Sequence, residues 1–258
     1  PTYGYTIQPT AMWESVAQWL VEQQGWPHSP SPEAFIFSAS VVASLCGLLR
    51  SLTCEGDAVV VMVPSYAPLQ DCVRDSHRRL VLHPLVLEAD GRYGMDLPSL
   101  ARTLEAEEAK VLLLISPHNP SGRVWARAEL AALSALCEAR GVLVVADEIW
   151  GDWVLPAPRP SSPASSPSSS LSGARFVPFA SVAGTCRHAT LNAPTKSLNL
   201  AGLHCSYLVL EDPLLRERYL AHVAPATLHF GSAFATTALT AAYADAARSA
   251  YEALVKDG

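Results

Sequence analysis

Short runs of Val, Leu and Ile alternate with amphipathic segments along this chain of 258 residues. The runs predict buried β-strands, because near-continuous apolar segments fit a sheet that is covered on both faces. They occupy residues 58–63, 80–87, 110–116, 142–147, 189–193 and 206–210, and segments with helical spacing occupy 11–26, 41–52 and 126–140. Strands that alternate with helices indicate βαβ units. The sequence therefore predicts an α/β fold in which helices sandwich a mainly parallel sheet.

Four side chains follow different apolar runs by a few residues at most, and all four are polar or aromatic: Tyr66, Asn119, Asp147 and Lys196. In parallel α/β sheets the ligand binds beyond the carboxyl ends of the strands. Because these ends meet at one edge of the sheet, we expect the four side chains to surround a single site.

Lys196 and Asp147 are the pair that indicates a particular chemistry. A neutral lysine amine forms a Schiff base with an aldehyde, and a carboxylate keeps a pyridine nitrogen protonated. Taken singly, a lysine in a turn is most often a surface residue, and an Asp after a strand is often a turn or N-cap residue. The residues that flank Lys196 are small and apolar, so we expect its side chain to be shielded from solvent. Together the pair matches what an enzyme that uses pyridoxal 5′-phosphate (PLP) requires.

The other candidate ligands have structural alternatives that the sequence leaves open. Asn119 can bond a phenolic oxygen and a substrate carboxylate, or simply form the turn Asn-Pro-Ser-Gly. A helix that begins near Ser40 would direct the N–H groups of Val41 and Val42 at a phosphate, or Ser40 would only cap that helix. Tyr66 can stack on a cofactor ring or be a half-buried turn residue. We interpret four further aromatic or imidazole side chains as packing residues: Trp150, Trp153, His118 and His204.

Composition and spacing argue against several other function classes. The formal net charge is −6 and no basic patch is present, which argues against a nucleic-acid partner. No run of about 18 apolar residues occurs, so we expect no membrane span. No His, Cys and Asp cluster has the spacing of a metal site. The six cysteines form no C-x-x-C pair, and we expect buried free thiols in a reducing compartment, which favours the cytoplasm.

Nine segments, in collinear order across nearly the whole chain, resemble the fold-type I PLP enzymes of the class I/II aminotransferase superfamily. They are YGYT (3–6), WLVEQQGW (19–26), FSASVVASL (37–45), VPSYAPL (63–69), GRYGMDL (91–97), SPHNPSGRVW (116–125), VLVVADEIWGD (142–152), VPFAS (177–181) and NAPTKSLNLAGL (192–203). Within the superfamily the chain is most similar to the C–S lyase branch, the cystathionine β-lyases of the MalY/PatB type.

This resemblance implies PLP as the cofactor, a small amino-acid substrate, and a homodimer with its sites at the interface. Lys196 would be the Schiff-base lysine and the base that moves the Cα proton, and Asp147 would pair with the pyridinium nitrogen. Asn119 would bond the phenolic oxygen, and Tyr66 would stack on the ring. The remaining cofactor contacts would come from Ser40, Val41, Val42 and Thr195, and from Tyr5, which would reach the phosphate region of the other subunit.

The implied reaction is β-elimination from an L-cysteine S-conjugate such as cystathionine, which yields a thiol, pyruvate and ammonia. An aminotransferase on the same scaffold and a truncated, inactive homologue are the alternatives. The chain departs from the family pattern at Ala39-Ser40, where relatives usually have Pro-Gly, and at Trp150, where the superfamily often has Tyr or His. None of Arg216, Arg218 and Arg248 lies in a segment that resembles the substrate-carboxylate motif of the family.

The resemblance also implies a domain organisation. We predict an N-terminal segment at the dimer interface (1–20), a PLP-binding large domain (21–222) and the start of a truncated small domain (223–258). The Pro/Ser-rich segment 156–174 is interpreted as a disordered insertion in the large domain, because the strand–helix alternation resumes after it. The chain begins at Pro1, so we expect the native N-terminus, and any targeting peptide, to be missing.

Overall fold

The computed structural model describes residues 6–154, 175–244 and 249. Within these residues the strands are β1 (Phe35–Ser38), β2 (Ala58–Val63), β3 (Arg79–Pro84), β4 (Val86–Leu87), β5 (Tyr93–Gly94), β6 (Val111–Ile115), β7 (Leu143–Asp147), β8 (His188–Asn192) and β9 (Ser206–Val209). The α-helices are α1 (Thr10–Trp19), α2 (Val41–Leu52), α3 (Ala67–Asp75), α4 (Leu97–Ala106), α5 (Arg127–Glu138), α6 (Pro213–Val223) and α7 (Ala233–Ala242). Tyr5 and the predicted insertion 156–174 lie outside the described residues.

Seven strands form one sheet in the order β1-β9-β8-β7-β6-β2-β3. The strands from β8 to β3 in this order are all parallel to one another. Strand β9 runs antiparallel to both of its neighbours, β8 and β1. Strands β4 and β5 form a separate antiparallel pair. The predicted α/β class with a mainly parallel sheet is therefore confirmed.

Most of the predicted strands agree with the structure to within one residue at each end. The predicted strand 80–87 is divided into two strands in the structure. Strand β3 ends at Pro84, because proline has no N–H to donate to a neighbouring strand, and β4 is separate. The predicted helix 11–26 also divides: α1 ends at Trp19, and a π-helical turn continues to Gln24. Gly25 stops this turn with a φ of 80°, the left-handed conformation that glycine adopts easily.

Alternating side chains along the strands divide the core into two layers. Val59 and Val145 point to the face that α2, α3 and α6 cover, whereas Val60 and Val144 point to the face that α4 and α5 cover. Full burial of each such aliphatic side chain contributes about 1.5–3 kcal/mol. Since Asp147 follows Val145 by two positions, its side chain lies on the same face as α2.

The antiparallel edge of the sheet has its own cover. Helix α1 packs on β1 and β9, where Trp13 stacks on Phe35 with ring centres 5.4 Å apart and meets Tyr207 edge-on. Leu239 of α7 and Tyr243, which follows that helix, join the same cluster. The N-terminal helix is therefore held against β1 and β9, the two strands at the antiparallel edge of the sheet.

The cysteines correct part of the sequence interpretation. A disulfide joins Cys46 on α2 to Cys72 on α3, with Cα atoms 5.9 Å apart, so these two are not free thiols. The two helices pack side by side on the same face of the sheet, a proximity that spacing along the chain does not reveal. Cys54 is free but exposed, whereas the three remaining cysteines are free and buried as predicted: Cys137, Cys186 and Cys205.

Two further observations concern only the described residues. None of their helices is long and apolar enough to cross a membrane. No group of three or more His, Cys, Asp or Glu side chains among them could hold a metal ion. The domain boundaries at residues 20 and 222 stay predictions.

Candidate functional site

A cavity of about 230 Å³ lies at the carboxyl edge of the parallel strands. The strand register creates it, because Ile115 pairs with Asp147 and Asp147 pairs with Leu191, so three strands end at one level. Every predicted site residue in the described part of the chain lines this cavity: Ser40, Val41, Val42, Tyr66, Asn119, Asp147, Thr195 and Lys196. The structure thus brings together side chains that are up to 156 residues apart in the sequence, from Ser40 to Lys196. Their chemical roles stay predictions.

Asp147 supplies a buried carboxylate to the cavity. Its side chain is 6% exposed, and burial raises its pKa to about 6 from an ordinary value of 3.8. The backbone N–H of Ile149 donates to Oδ1 at 3.2 Å and, together with the charge of Lys196, opposes that rise in pKa. A cation or an N–H donor bound beside Asp147 would stabilise its ionised form further.

Glu148 points away from the cavity, into the opposite side of the same strand end. It is fully buried, and burial raises its pKa to about 8, against the effect of the Phe179 backbone N–H, which donates to Oε1 at 2.6 Å. Glu148 is therefore protonated at neutral pH, and Asp147 carries the charge of this pair of neighbours.

Lys196 is exposed, so the expectation that its flanking residues shield it is wrong. Its neighbours Ala193, Pro194 and Ser197 are buried, as expected for small residues. They hold the turn in place, and the lysine side chain points from this turn into the open cavity. The Lys196 Nζ lies 5.6 Å from the centre of the Trp150 ring. The turn is closed by bonds from the Leu198 N–H to the Pro194 carbonyl and from the Leu200 N–H to the Thr195 carbonyl.

The N-terminus of α2 forms the opposite wall of the cavity. Ser40 caps the helix, and its hydroxyl accepts the N–H of Ala43 at 3.1 Å, so the capping interpretation is confirmed. As the first two residues of the helix, Val41 and Val42 have N–H groups without a partner inside it. These two N–H groups and the helix dipole favour an anion at this wall, so capping and anion binding are compatible.

Asn119 forms the predicted turn and also lines the cavity, whereas its bond to a cofactor stays a prediction. It lies in a turn that the Gly122 N–H closes on the His118 carbonyl at 2.7 Å, with a φ of 69° at Gly122. Asn119 is half-buried and lines the cavity, whereas its neighbour His118 is buried against Trp125. Burial lowers the pKa of His118 to about 4, so its imidazole is neutral at physiological pH.

Four aromatic or imidazole residues differ at least in part from the expectations. Tyr66 is 42% exposed at the cavity, so it is not a half-buried turn residue, and its stacking on a cofactor stays a prediction. Trp153 is 38% exposed, so its interpretation as a packing residue is wrong. Trp150 packs against the core as interpreted but also lines the cavity. His204 is exposed and lines the cavity, so its interpretation as a packing residue is wrong. His204 reaches the cavity because Ser206, two residues later, pairs with Ser38, which lies just before the N-terminus of α2.

Comparisons with known proteins agree with this geometry. The family model for aminotransferases of class I and II matches residues 2–256. Cystathionine beta-lyase PatB of Bacillus subtilis is 36% identical over 241 residues, which cover 93% of this chain and 58% of that protein. Protein MalY of Escherichia coli is 30% identical over 82% of this chain and 50% of its own length. A PLP-bound crystal structure from Clostridium difficile 630 superposes with a TM-score of 0.86 and 28% identity, covering 99% of this chain and 61% of the other.

Proposed function

The chain belongs to the family of class I and II aminotransferases, and from this premise we propose that it binds PLP and acts as a C–S β-lyase. The substrate class is an L-cysteine S-conjugate such as cystathionine, which would be split into a thiol, pyruvate and ammonia. The chain spans 58% and 50% of the lengths of the two curated relatives described above, so the activity is proposed for the whole protein.

One observation carries the proposal: an amine, a buried carboxylate and a helix N-terminus surround a single cavity. These three groups fit the three polar parts of PLP, which are the aldehyde, the pyridine nitrogen and the phosphate. Asp147 would accept a proton shared with the ring nitrogen, and the N–H groups of Val41 and Val42 would bind the phosphate. Ile115, Ile149 and Ala193 provide apolar surface for the ring.

When bound, PLP supplies an aldehyde that reacts with amines and a cationic ring that withdraws electrons from the Cα atom of an amino acid. The chain contributes the groups that bind and move protons. The Lys196 amine would take the proton from Cα, because it is the one basic amine that lines the described cavity. Asp147, ionised above its pKa of about 6, would hold the proton on the ring nitrogen. The Asn119 amide would donate to the phenolic oxygen, and Tyr66 would stack on the ring.

The substrate's α-carboxylate needs a cationic partner that the described cavity lining does not include. Arg216 donates to the carbonyls of Leu210 and Glu211, and Arg218 donates to the carbonyl of Ser51, so both are bound away from the cavity. We propose that the whole protein is a homodimer in which Tyr5 reaches the phosphate of the other subunit. We also propose a cytoplasmic location; the buried free thiols of Cys137, Cys186 and Cys205 favour it, whereas the disulfide between Cys46 and Cys72 argues against it.

The first experiment is a visible absorption spectrum of the protein incubated with PLP. A borohydride-reducible band should appear in the wild type, persist in Lys110→Ala and vanish in Lys196→Ala. Lys110 is the matched control because it is an exposed lysine at the opposite, amino-terminal end of the strands. Absence of the band from the wild type as well would reject PLP binding by this chain.

An aminotransferase is the second candidate, because the family model that matches the chain is named for that activity. The two reactions differ in whether a keto acid is needed. Pyruvate release from cystathionine without an added keto acid supports the lyase. Turnover that depends strictly on a keto-acid acceptor supports the aminotransferase.

A further inference from the structure

A buried serine holds the two-residue connection between β1 and α2. Ser38 ends β1 and is 3% exposed, and its hydroxyl donates to the carbonyl of Ser40 at 3.0 Å. The same carbonyl accepts the N–H of Ser44 at 3.0 Å, which is the first hydrogen bond of the helix. One side chain therefore fastens the end of the strand to the first turn of α2.

A second serine supports Ser38 from the neighbouring strand. Ser206 of β9 is 1% exposed, and its hydroxyl donates to the Ser38 carbonyl at 2.9 Å. Strand β9 pairs with β1 at this level, where Ser38 is opposite Ser206. Since a buried polar group without a partner is unfavourable, the two hydroxyl bonds stabilise one conformation of the connection against others.

The bond to the Ser40 carbonyl also determines the direction of the Val41 N–H. A peptide group is planar, and in the trans form its C=O and N–H point in opposite directions. The Ser40–Val41 peptide is trans, because the cis bonds among the described residues all precede proline. The Ser38 hydroxyl, which holds the carbonyl of this peptide group, therefore holds its N–H as well. That N–H has no partner inside α2, and Val41 lines the cavity.

We propose that Ser38 is a positioning residue that, through the Ser40 carbonyl, directs the Val41 N–H at the phosphate of the cofactor. The inference rests on the proposed function and deepens it, because it identifies a group behind the cavity wall that sets the affinity for phosphate. Ser38 is not among the described residues that line the cavity, so it acts only through this peptide group. Hydrogen bonds weaken steeply when the donor, hydrogen and acceptor depart from a line, so a peptide group that is free to tilt binds the phosphate less tightly.

Ser38→Ala tests the inference by removing the hydroxyl while every residue that lines the cavity is retained. The matched control is Ser134→Ala, because Ser134 is also a buried serine whose hydroxyl donates to a distant backbone carbonyl, that of Ala183 at 2.9 Å. It lies on α5, which covers the other face of the sheet. Fluorescence titration measures the dissociation constant of pyridoxine 5′-phosphate, which carries the phosphate but no aldehyde. We expect Ser38→Ala to raise this constant about fivefold and Ser134→Ala to change it by less than about twofold.

A second background separates positioning of the N–H from a general loosening of the protein. Val41→Pro removes the N–H that Ser38 directs, so in this background Ser38→Ala should change the dissociation constant by less than about twofold. A general loosening of the cavity wall would weaken binding by the same factor in both backgrounds, because it does not depend on that one donor.

Equal dissociation constants for Ser38→Ala and Ser134→Ala would overturn the inference, as would an effect of Ser38→Ala that is just as large in the Val41→Pro background. Should Ser38→Ala not fold, as judged by circular dichroism, Ser206→Ala takes its place with the same criteria, because it releases the Ser38 carbonyl. A wild type that does not bind pyridoxine 5′-phosphate at all rejects the proposed function itself, so the two failures are distinguishable.

Discussion

The Lys196 Nζ lies 5.6 Å from the centre of the Trp150 ring, within the range of a cation–π interaction. Both residues line the cavity, and Trp150 also rests against the core beneath it. The indole ring therefore holds the end of the lysine side chain at the wall of the cavity.

We predict that Trp150→Leu slows attachment of PLP to Lys196, because the lysine side chain loses a contact that holds its end at the cavity wall. An exposed cation–π contact is worth about 0.5–1 kcal/mol, so its loss should lower the rate roughly two- to fivefold. Trp150→Phe keeps an aromatic face and should change the rate less. Stopped-flow absorbance measures the rate, and a Trp150→Leu protein that reacts as fast as the wild type would contradict the idea that the ring holds the amine in place.

Asp147 should make the cofactor-free protein less stable at neutral than at acidic pH. Its folded-state pKa of about 6 lies above the ordinary value of 3.8, so between these values the folded protein binds more protons than the unfolded chain. The free energy of unfolding therefore falls as the pH rises through this window. At pH values above this window the loss of unfolding free energy is complete. It corresponds to the difference of about two pKa units, at roughly 1.4 kcal/mol for each unit.

Asp147→Asn should remove that deficit. We expect the free energy of unfolding to rise by about 1–3 kcal/mol near neutral pH and to change little at about pH 4, where the wild-type carboxyl is protonated. Urea unfolding at both pH values measures the difference, with the exposed Asp75→Asn as the control. Equal effects of Asp147→Asn at the two pH values would show that the carboxyl is not titrating as described.

Val41→Pro tests the anion site at α2 with little change to the helix. Val41 is the first helical residue, where proline is tolerated because its missing N–H would have no partner inside the helix. Removal of a donor to a charged phosphate should weaken binding of pyridoxine 5′-phosphate roughly tenfold. Val41→Ala trims the side chain but retains the N–H, so it should bind nearly as well as wild type in the same fluorescence titration. Equal affinities for the two variants would indicate that this N–H does not contact the phosphate.

Gly47→Ala should destabilise the protein although alanine is the better helix former. A Cβ at position 47 would meet Tyr219 Cε2 of α6 at 2.8 Å, closer than carbon atoms pack. The overpacking should cost about 1–3 kcal/mol, against a gain in helix propensity of about 1 kcal/mol. In a Tyr219→Ala background the same change should become neutral or stabilising. A double-mutant cycle by urea unfolding measures this coupling, and additive effects would refute the clash.

Much of the fold and most of the residues around the cavity can be predicted from the sequence, and the expectations that are wrong have a common origin. The runs at 58–63 and 142–147 have a pattern that neighbouring residues alone create, so β2 and β7 were predicted almost to the residue. The exposure of Lys196, the disulfide between Cys46 and Cys72 and the position of His204 each depend on segments far away in the sequence. The pattern of neighbouring residues along the chain does not contain that information.

The amino-acid sequence is therefore enough to predict which segments become strands and which side chains follow them, among them Asn119, Asp147 and Lys196. Hydrophobic periodicity and turn preference act over a few neighbouring residues, so both can be recognised along the chain. The hydrogen bond from Trp19 to Asp152, 133 residues away, and the close approach of Tyr219 to Gly47 arise instead from the three-dimensional packing. Such contacts are selected by the packing of whole layers, in which the position of each side chain depends on every element that surrounds it.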